Sequence, residues 1–246
     1  LSPEGPPPDP AAGALTCVAG KIAVGEHQMA ITFYYGAGSP FAWRVWLALE
    51  HKLLDYELKL LSFSEGDLKK ADFAKLNPRR KIPVLVDTQG DDPFVLYESP
   101  AILEYLDEAY PGSGMPLFPG DARGRALVRR MVCEADNYVA PAVNRLLARV
   151  LFTPEAQWNE EKIAAARTEC VEELNAWAPQ MRGDYLAGPL SAADLTLYPM
   201  VALALRCENK RPDIAVRTAL PQQMGGWMRR IEGLPYLAKT WPPHWK

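Results

Sequence analysis

The sequence predicts a chain in two parts, a mixed α/β part followed by an all-helical part. Three observations support this prediction. Up to about residue 110, short apolar runs alternate with helical patterns, the order expected of a small mixed sheet with helices. Residues 111–120 are rich in proline and glycine, which interrupt regular structure and indicate a linker. Beyond residue 120 strand patterns end, and Ala, Arg, Glu and Leu, which favour helices, dominate.

The elements of the first part, residues 29–110, are predicted in the order β-α-β-α-β-β-α. Strands are expected at residues 30–35, 56–61, 82–86 and 94–96. Helices are expected at residues 40–51, 66–76 and 99–110, of which the second has the weakest pattern. In the second part, residues 121–246, helices are expected at residues 121–152, 154–181, 192–207 and 220–231.

Residues 1–28 differ in kind from the rest of the chain. Half of the first ten residues are proline, and residues 11–28 show no clear period. A basic segment followed by a compact apolar segment is lacking, which argues against a secretory signal. We therefore expect a disordered leader, with Met29 as the natural start of the folded protein.

Composition limits the partners and the chemistry. The 246 residues are 48% hydrophobic and carry a formal net charge of -3, which allows a sizeable core and argues against a nucleic-acid partner. No apolar run approaches the roughly 18 residues needed to span a membrane. The four cysteines are scattered, which favours reduced thiols and a cytoplasmic location. The three histidines are equally dispersed, so neither a metal site nor a Ser-His-Asp triad is expected.

The most informative segment is residues 39–45, which join the first predicted strand to the first predicted helix. Ser39 places a hydroxyl at the helix N-terminus, where free N–H groups and the helix dipole favour negative charge. Pro40 suits the first turn, because its missing N–H would have had no partner there. Such a site can hold a thiolate, and an ordinary helix cap is the alternative.

Four segments together resemble the cytosolic glutathione transferases. They are residues 39–45 (SPFAWRV), 77–85 (NPRRKIPVL), 97–106 (YESPAILEYL) and 191–194 (SAAD). Their order and spacing match over nearly all of residues 29–246. The resemblance implies a thioredoxin-like first domain that binds glutathione, and a helical second domain that supplies most of the pocket for an electrophile. Glutathione would be a co-substrate, with no bound cofactor, and a homodimer is also implied.

Ser39 resembles the catalytic serine of the tau, zeta and theta classes of this family. The thiol of glutathione has a pKa near that of free cysteine, about 8.5, so little of it is ionised at neutral pH. A hydroxyl that donates to the sulfur would stabilise the thiolate without being the nucleophile itself. No cysteine lies near this position, so thiol-disulfide exchange through a protein cysteine is not expected. The start Ser-Pro-Phe is closer to the tau class, but no class is assigned.

Two further segments are implied to bind glutathione. Pro83 matches the family's cis-proline, which with Ile82 would expose the main chain of Val84 to the cysteinyl part of the ligand. Lys81 would offer a cation to the glycyl carboxylate, with the two preceding arginines as rivals. A proline at a strand start and solvated surface charges are the alternatives.

Glu98 and Ser99 stand at the start of the third predicted helix. The Ser99 hydroxyl and the N–H groups of the first turn would receive the γ-glutamyl carboxylate, while Glu98 would accept from the ammonium. An N-cap is the alternative, and both can hold because ligand and cap use the same donors. Ser191 and Asp194 have the spacing of a capping box and are assigned to folding.

The electrophile pocket is predicted from spacing. Phe41 begins the first helix, and three residues fall on one helical face by their three- and four-residue spacing: Tyr138, Ala142 and Arg145. The aromatic end of the chain is a further candidate cover: Trp241, His244 and Trp245. For each of these, packing within the helical domain is the alternative. Asp136 is interpreted either as a contact to glutathione across a dimer interface or, in preference, as a surface acid.

These features favour a glutathione transferase that activates glutathione as a thiolate for attack on a hydrophobic electrophile. A glutathione-dependent isomerase or peroxidase on the same site is one alternative. A non-catalytic member that binds glutathione or a protein partner is another, because a fold does not guarantee a function.

Overall fold

A four-stranded mixed sheet organises the first half of the protein in the computed structural model, which describes residues 30–245. Its strands are β1 (Ile31–Tyr35), β2 (Tyr56–Leu60), β3 (Val84–Asp87) and β4 (Phe94–Tyr97). The order across the sheet is β2-β1-β3-β4, with β1 parallel to β2 and antiparallel to β3, and β3 antiparallel to β4. The mixed sheet predicted from the sequence is confirmed. The predicted leader, residues 1–28, lies outside the described residues.

The helices of this half are α1 (Pro40–His51), α2 (Ala71–Leu76) and α3 (Ser99–Ala109). Ten of the twelve residues of α1 are buried, because this helix packs against both α3 and a helix of the second half. A helix buried on several sides is apolar on most of its surface, as α1 is apart from Arg44, Glu50 and His51. The helix that carries the residues after Ser39 is therefore held rigidly between the two halves.

Two sequence predictions in this half are corrected by local backbone geometry. The helix expected at residues 66–76 is split into a 3-10 turn (Asp67–Lys69) and α2, because Lys70 between them is extended. The strand expected from residue 82 begins at Val84, since the bond between Ile82 and Pro83 is cis and proline has no N–H to donate.

The second half is helical. Its helices are α4 (Ala122–Glu134), α5 (Ala140–Val150), α6 (Glu160–Asn175), α7 (Ala192–Lys210), α8 (Val216–Ala219), α9 (Gln222–Glu232) and α10 (Leu237–Thr240). A wide π-helical turn, Ala135–Val139, joins α4 to α5. It precedes Pro141, whose missing N–H and ring disfavour a regular turn. Within residues 30–245, no helix is both long and apolar enough to cross a membrane.

The start of α7 shows why its sequence specifies this fold. Asp194 is buried and accepts from the main-chain N–H and hydroxyl of Ser191, both at 3.0 Å, as the predicted capping role requires. It also accepts from the N–H of Leu186 and the indole of Trp227, each at 2.9 Å. Burial raises the pKa of Asp194 to about 6, and these four donors act in the opposite direction. One carboxylate thus ties α7 to a loop and to α9.

The segment that connects the halves, residues 111–120, is irregular but firmly attached. The N–H groups of Leu117 and Phe118 donate to the carboxylate of Asp107 on α3, at 2.7 and 3.2 Å. The carbonyl of Leu117 accepts from the N–H of Ala192 at the start of α7, at 2.8 Å. These bonds attach Leu117 and Phe118 to one helix of each half, and the buried apolar residues of the two halves form one continuous core.

Candidate active site

A cavity of about 270 Å³ opens where the two halves meet. We call it the cradle, and define it by its lining residues: Phe41, Arg44, Asn77, Lys81, Ile82, Pro83, Glu98, Ser99, Pro100 and Asp136. Most of them come from the start of α1, the loop before β3 and the start of α3. The last comes from the π-helical turn of the second half. The cavity is therefore complete only when both halves are in place.

The cradle brings together most of the residues expected to bind glutathione. Lys81, Ile82, Glu98 and Ser99 all line it, next to the cis bond. Val84, also predicted to bind glutathione, does not line the cradle: it is completely buried in the sheet, where it is paired with Tyr34 on β1 and Tyr97 on β4. Of the three neighbouring cations considered from the sequence, only the lysine lines the cavity.

Arg44 is the centre of the buried charge in this site. Its side chain is 1% exposed, and its Nε donates to the Ser99 hydroxyl oxygen at 3.0 Å. Its Nη1 donates to Asp136 Oδ2 at 3.1 Å, and its guanidinium lies 5.1 Å from the centre of the Phe41 ring. Burial lowers the pKa of Arg44, and the carboxylate of Asp136 opposes this change. Since the Ser99 oxygen already accepts a hydrogen bond, its own hydrogen is available to donate into the cavity.

Asp136 is not a surface acid, and the preferred sequence interpretation of it is wrong. Its side chain is 22% exposed, and its Oδ1 lies 3.0 Å from Arg44 Nη1 of the same chain. That oxygen is buried and accepts no hydrogen bond from any of residues 30–245. The adjacent charge of Arg44 offsets the cost of burying this oxygen, so the ion pair holds the Asp136 carboxylate at the wall of the cradle.

Glu98 adds a second carboxylate and an unusual backbone. Its backbone angle φ is +70°, a value that residues other than glycine adopt only at a cost in conformational energy. It precedes Ser99, the first residue of α3, so the N–H groups of this helix start face the same cavity as the Ser99 hydroxyl. The cradle thus contains two cations, two carboxylates and a helix N-terminus within one small volume.

Ser39 lies outside the cradle, at the N-terminus of α1. Its hydroxyl oxygen accepts from the N–H of Ala42 at 3.3 Å, so the helix cap expected as an alternative is present. Ser39 lines a separate crevice of only about 10 Å³. In the sequence it precedes Phe41, which lines the cradle, by two residues. The hydroxyl hydrogen has no acceptor among the described residues and is free to donate.

The chain end forms the other wall of this crevice. We call residues 241–245 the strap. Pro242 and Pro243 line the crevice opposite Ser39, and the Trp43 indole of α1 donates to the Thr240 hydroxyl at 3.0 Å just before the strap begins. Two strap indoles meet the Trp43 ring edge-on, with ring centres 5.3 and 5.4 Å apart. The strap packs on the first half of the protein.

The three residues predicted on one helical face do not come together at the cavity. Ala142 is completely buried inside the helical core, and Arg145 points away and donates to Glu169 of α6 at 2.6 Å. Tyr138 is 59% exposed and does not line the cradle. The physical reason is the π-helical turn, whose five-residue hydrogen bonds shift the helical phase between Tyr138 and the start of α5. Phe41, which was predicted from its place at the start of the first helix, does line the cradle.

The comparisons with known proteins agree with this geometry. A family model described as the glutathione S-transferase N-terminal domain matches residues 38–109. Glutathione S-transferase A of Pleuronectes platessa is 28% identical over 87% of this chain and 92% of the relative. Glutathione S-transferase 3 of Zea mays is 32% identical over 82% of this chain and 89% of the relative. The chain belongs to the glutathione S-transferase family.

Other relatives of this transferase extend the comparison. The crystal structure of a glutathione S-transferase from the Antarctic clam Laternula elliptica matches with a TM-score of 0.72 and 29% identity, over 87% of this chain and 93% of that one. A probable maleylacetoacetate isomerase of Vibrio cholerae is 32% identical over 87% of this chain and 97% of the relative. Glutathione is the co-substrate in this family. Within residues 30–245 of the transferase, no three His, Cys, Asp or Glu side chains are grouped to hold a metal ion.

Two cradle residues of the transferase were missed by sequence reasoning. Arg44 interrupts an otherwise apolar run, and a buried arginine requires a partner, so its position was a usable signal. Asn77 is buried, its amide donates to the carbonyl of Lys81 at 2.8 Å, and its oxygen accepts from the N–H of Arg79 at 2.9 Å. An asparagine that bonds its own loop in this way holds the segment before the cis bond in one shape.

Proposed function

We propose that this transferase binds glutathione in the cradle and activates its thiol beside Ser39 for attack on a hydrophobic electrophile. One observation carries the proposal. The cradle places two cations and two carboxylates within about 270 Å³, next to the start of α1. Glutathione is a small peptide with two carboxylates and one ammonium, so its charges complement this arrangement.

The γ-glutamyl end of glutathione would bind at the start of α3. Its carboxylate would accept from the Ser99 hydroxyl and from N–H groups of the first helical turn. Its ammonium would donate to Glu98 and would be attracted by the Asp136 carboxylate, which lines the same cavity. Arg44 is a positioning residue here, because its hydrogen bonds hold both the Ser99 oxygen and the Asp136 carboxylate.

The other end of the peptide would bind along the loop before β3. Lys81 would attract the glycyl carboxylate, and the main chain at Ile82, which also lines the cradle, would bind the cysteinyl part. The Asn77 side-chain amide holds this loop in position by donating a hydrogen bond to the Lys81 carbonyl. Ligand recognition at this end would therefore depend mainly on backbone shape.

Thiol activation is assigned to Ser39. Its oxygen accepts from Ala42, so its hydrogen is directed elsewhere and is available to a sulfur. The N–H groups of the first turn of α1 add positive potential at the same place. Each unit by which the thiol pKa falls corresponds to about 1.4 kcal/mol of preference for the thiolate.

The test follows the ultraviolet absorbance of the bound thiolate as pH is varied. Wild-type protein is expected to lower the thiol pKa of glutathione, and Ser39→Ala to bind glutathione without lowering it. Loss of such a hydroxyl donor should reduce the rate constant for conjugation by about 100-fold. Ser113→Ala removes a hydroxyl that lines neither cavity and serves as the control. If the wild type binds glutathione without ionising it, the proposal fails.

A glutathione-dependent isomerase is the second candidate, because one relative is named a probable maleylacetoacetate isomerase. A thiolate that adds reversibly to a cis double bond would permit rotation about that bond before the thiolate leaves again. Substrate tests with a cis-enone distinguish the two outcomes, since isomerisation returns free glutathione and conjugation consumes it.

Homodimer formation and a cytoplasmic location complete the proposal. The first is implied by the family resemblance, and the second by the scattered cysteines, which favour reduced thiols. Light scattering coupled to size-exclusion chromatography tests the first, and fractionation of the source cells tests the second.

A further inference from the structure

The end of α1 contacts the second half of the protein at a place that belongs to neither cavity. His51, the last residue of α1, brings its Nδ1 to 3.0 Å from the hydroxyl of Tyr236, the residue before α10, and the two rings meet edge-on. The His51 carbonyl accepts from the N–H of Met115 in the connecting segment, at 3.3 Å. We call this contact the joint, and define it by His51, Met115 and Tyr236. One histidine thus binds the connecting segment with its main chain and the second half with its side chain.

The joint is closely packed. His51 is 9% exposed and Lys52, which follows it, is 1% exposed. Gly114, the residue before Met115, has a φ of +52°, and a Cβ atom there would overlap the His51 carbonyl and the main chain of Lys52. The imidazole is therefore removed from most of the solvent that would stabilise a charge on it.

The hydrogen bonds at the joint suit a neutral imidazole. Burial raises the pKa of Tyr236, so its hydroxyl keeps its hydrogen and can donate to Nδ1 or accept from it. His51 Nε2 is buried and has no hydrogen-bond partner among residues 30–245. A protonated ring carries an N–H on both nitrogens, so protonation would leave a charged N–H buried without an acceptor. Such a group costs more than the bare lone pair of the neutral ring.

The charged side chains near the ring offer little compensation for a second positive charge. Lys52 already places a buried ammonium next to it, 3.6 Å from the carboxylate of Asp107 on α3. That carboxylate also lies 3.6 Å from a guanidinium nitrogen of Arg125 on α4, and it accepts from two N–H groups of the connecting segment. Asp107 is therefore shared among several donors before His51 takes up a proton.

The acid that precedes the histidine in α1 is also engaged elsewhere. Glu50 is paired with Lys239 of α10 and accepts from the hydroxyl of Tyr56 on β2. Burial and, after it, the charge of Lys52 lower the pKa of His51, and the charge of Asp107 opposes them. The closed joint therefore favours the neutral ring.

We propose that the joint is an acid-sensitive contact, in which a proton taken up by the His51 imidazole breaks its packing against Tyr236 and the connecting segment and loosens the two halves. In an opened joint the imidazole is solvated and titrates near its ordinary pKa of about 6.5. The opened form then binds more protons than the closed form below that pH. The stability that His51 contributes is therefore present above about pH 6.5 and is lost as the pH falls below it. Because the cradle is complete only when both halves are in place, acid would reach the binding site through this contact.

The test compares the free energy of unfolding of wild type and His51→Gln, by denaturant titration at about pH 7.5 and about pH 5.5. Glutamine can still form a hydrogen bond with Tyr236 but does not titrate. Between these pH values the unfolding equilibrium constant should rise about tenfold more in the wild type than in His51→Gln. Asp194, whose pKa is raised to about 6, titrates in the same range but is present in both proteins, so its effect cancels. His244→Gln removes an exposed histidine and should keep most of the wild-type pH dependence.

Two further measurements keep the inference testable if a variant folds poorly, and locate the opening. An NMR titration of the wild-type imidazoles should give His51 a pKa below about 6.5 in the folded protein. Hydrogen exchange at about pH 5.5 should be faster in the wild type than in His51→Gln at residues 113–117 and 236–240, but equal at residues 163–174 of α6.

The inference is overturned if wild type and His51→Gln have the same pH dependence, or if the folded His51 titrates at or above its ordinary pKa. Exchange that rises equally in all segments would mean general destabilisation and no opening at the joint, which also contradicts it. Since none of these measurements uses glutathione, their outcome is independent of the proposed function.

Discussion

The two sides of Ser39 are built in different ways. On one side the cradle is polar, and its key side chains are held by buried hydrogen bonds and an ion pair centred on Arg44. On the other side the strap is aromatic, is held mainly by edge-on ring contacts, and leaves a crevice of about 10 Å³ against about 270 Å³ in the cradle. The charged side chains of the cradle are thus held in defined positions by hydrogen bonds, whereas the strap presents an apolar surface without such directional bonds.

This difference matches two kinds of ligand. Charged groups in fixed positions suit the binding of a single invariant substrate, because buried ion pairs and hydrogen bonds require a specific geometry. Substrates that vary are served by apolar contact, which is roughly proportional to area and has little directional demand. The cradle should therefore be sensitive to single polar substitutions, and the strap should tolerate changes of shape.

The largest effect is expected from Arg44→Met. This change leaves Asp136 buried without its partner and frees the Ser99 hydroxyl, and breaking a buried ion pair costs about 3–5 kcal/mol. Denaturant unfolding should show this loss, and calorimetry should show glutathione binding abolished.

Arg44→Lys is the matched control for that change. It keeps the charge but cannot donate to Ser99 and Asp136 at the same time in the planar geometry of arginine, so an intermediate loss is expected. Unchanged glutathione affinity in both variants would mean that the buried pair does not organise the cradle.

A smaller effect is expected from Trp43→Phe, on the strap side. The substitution removes the hydrogen bond to Thr240 and part of the edge-on contact with the strap, which should lower the free energy of unfolding by about 1 kcal/mol. Glutathione affinity should stay unchanged, whereas the KM for a bulky electrophile should change.

The control for the strap is Trp158→Phe. Its indole donates to the Thr153 carbonyl at 3.2 Å, so this variant loses a comparable bond away from both cavities. A change of glutathione affinity in Trp43→Phe alone would show that the two sides of Ser39 are not independent.

The smallest effect is expected from Lys81→Met. Lys81 is exposed at the edge of the cradle, so its attraction for a carboxylate is screened and worth about 0.5–1 kcal/mol. The Kd for glutathione should rise about threefold, and its dependence on salt should weaken. Arg79→Met, one of the rival cations, should leave both unchanged. An equal effect at both positions would show that the surface field, and no specific contact, attracts the ligand.

Local sequence signals predicted the cradle side well. The bounds of α1 were predicted correctly, because Ser39 caps it and Pro40 begins it, and both signals depend only on neighbouring residues. The cis bond at Pro83 and the helix start at Ser99 also came from short segments with a family pattern. Such features are determined by a few neighbouring residues, so they can be predicted from a single sequence.

The remaining parts depend on packing between distant segments. Arg44 and Asp136 are 92 positions apart in the sequence, so patterns among neighbouring residues cannot predict that they pair. The phase shift at the π-helical turn moved Ala142 and Arg145 away from the site, although their spacing on a regular helix was correct. The packing of the strap requires that Gly38 has no side chain, because a Cβ atom there would lie 2.8 Å from ring atoms of His244 and Trp245. The sequence alone does not show that these distant residues are in contact.

The contribution of Asp136 to the cradle has a thermodynamic consequence. Because this carboxylate belongs to the second half and the rest of the lining belongs to the first, separation of the halves would destroy the binding site. A ligand that binds only the joined form opposes their separation by mass action, by about 2.7 kcal/mol at a free concentration 100 times its Kd. The glutathione level of the surroundings would then set how often the protein opens, which makes its resistance to proteolysis a measure of the local thiol supply.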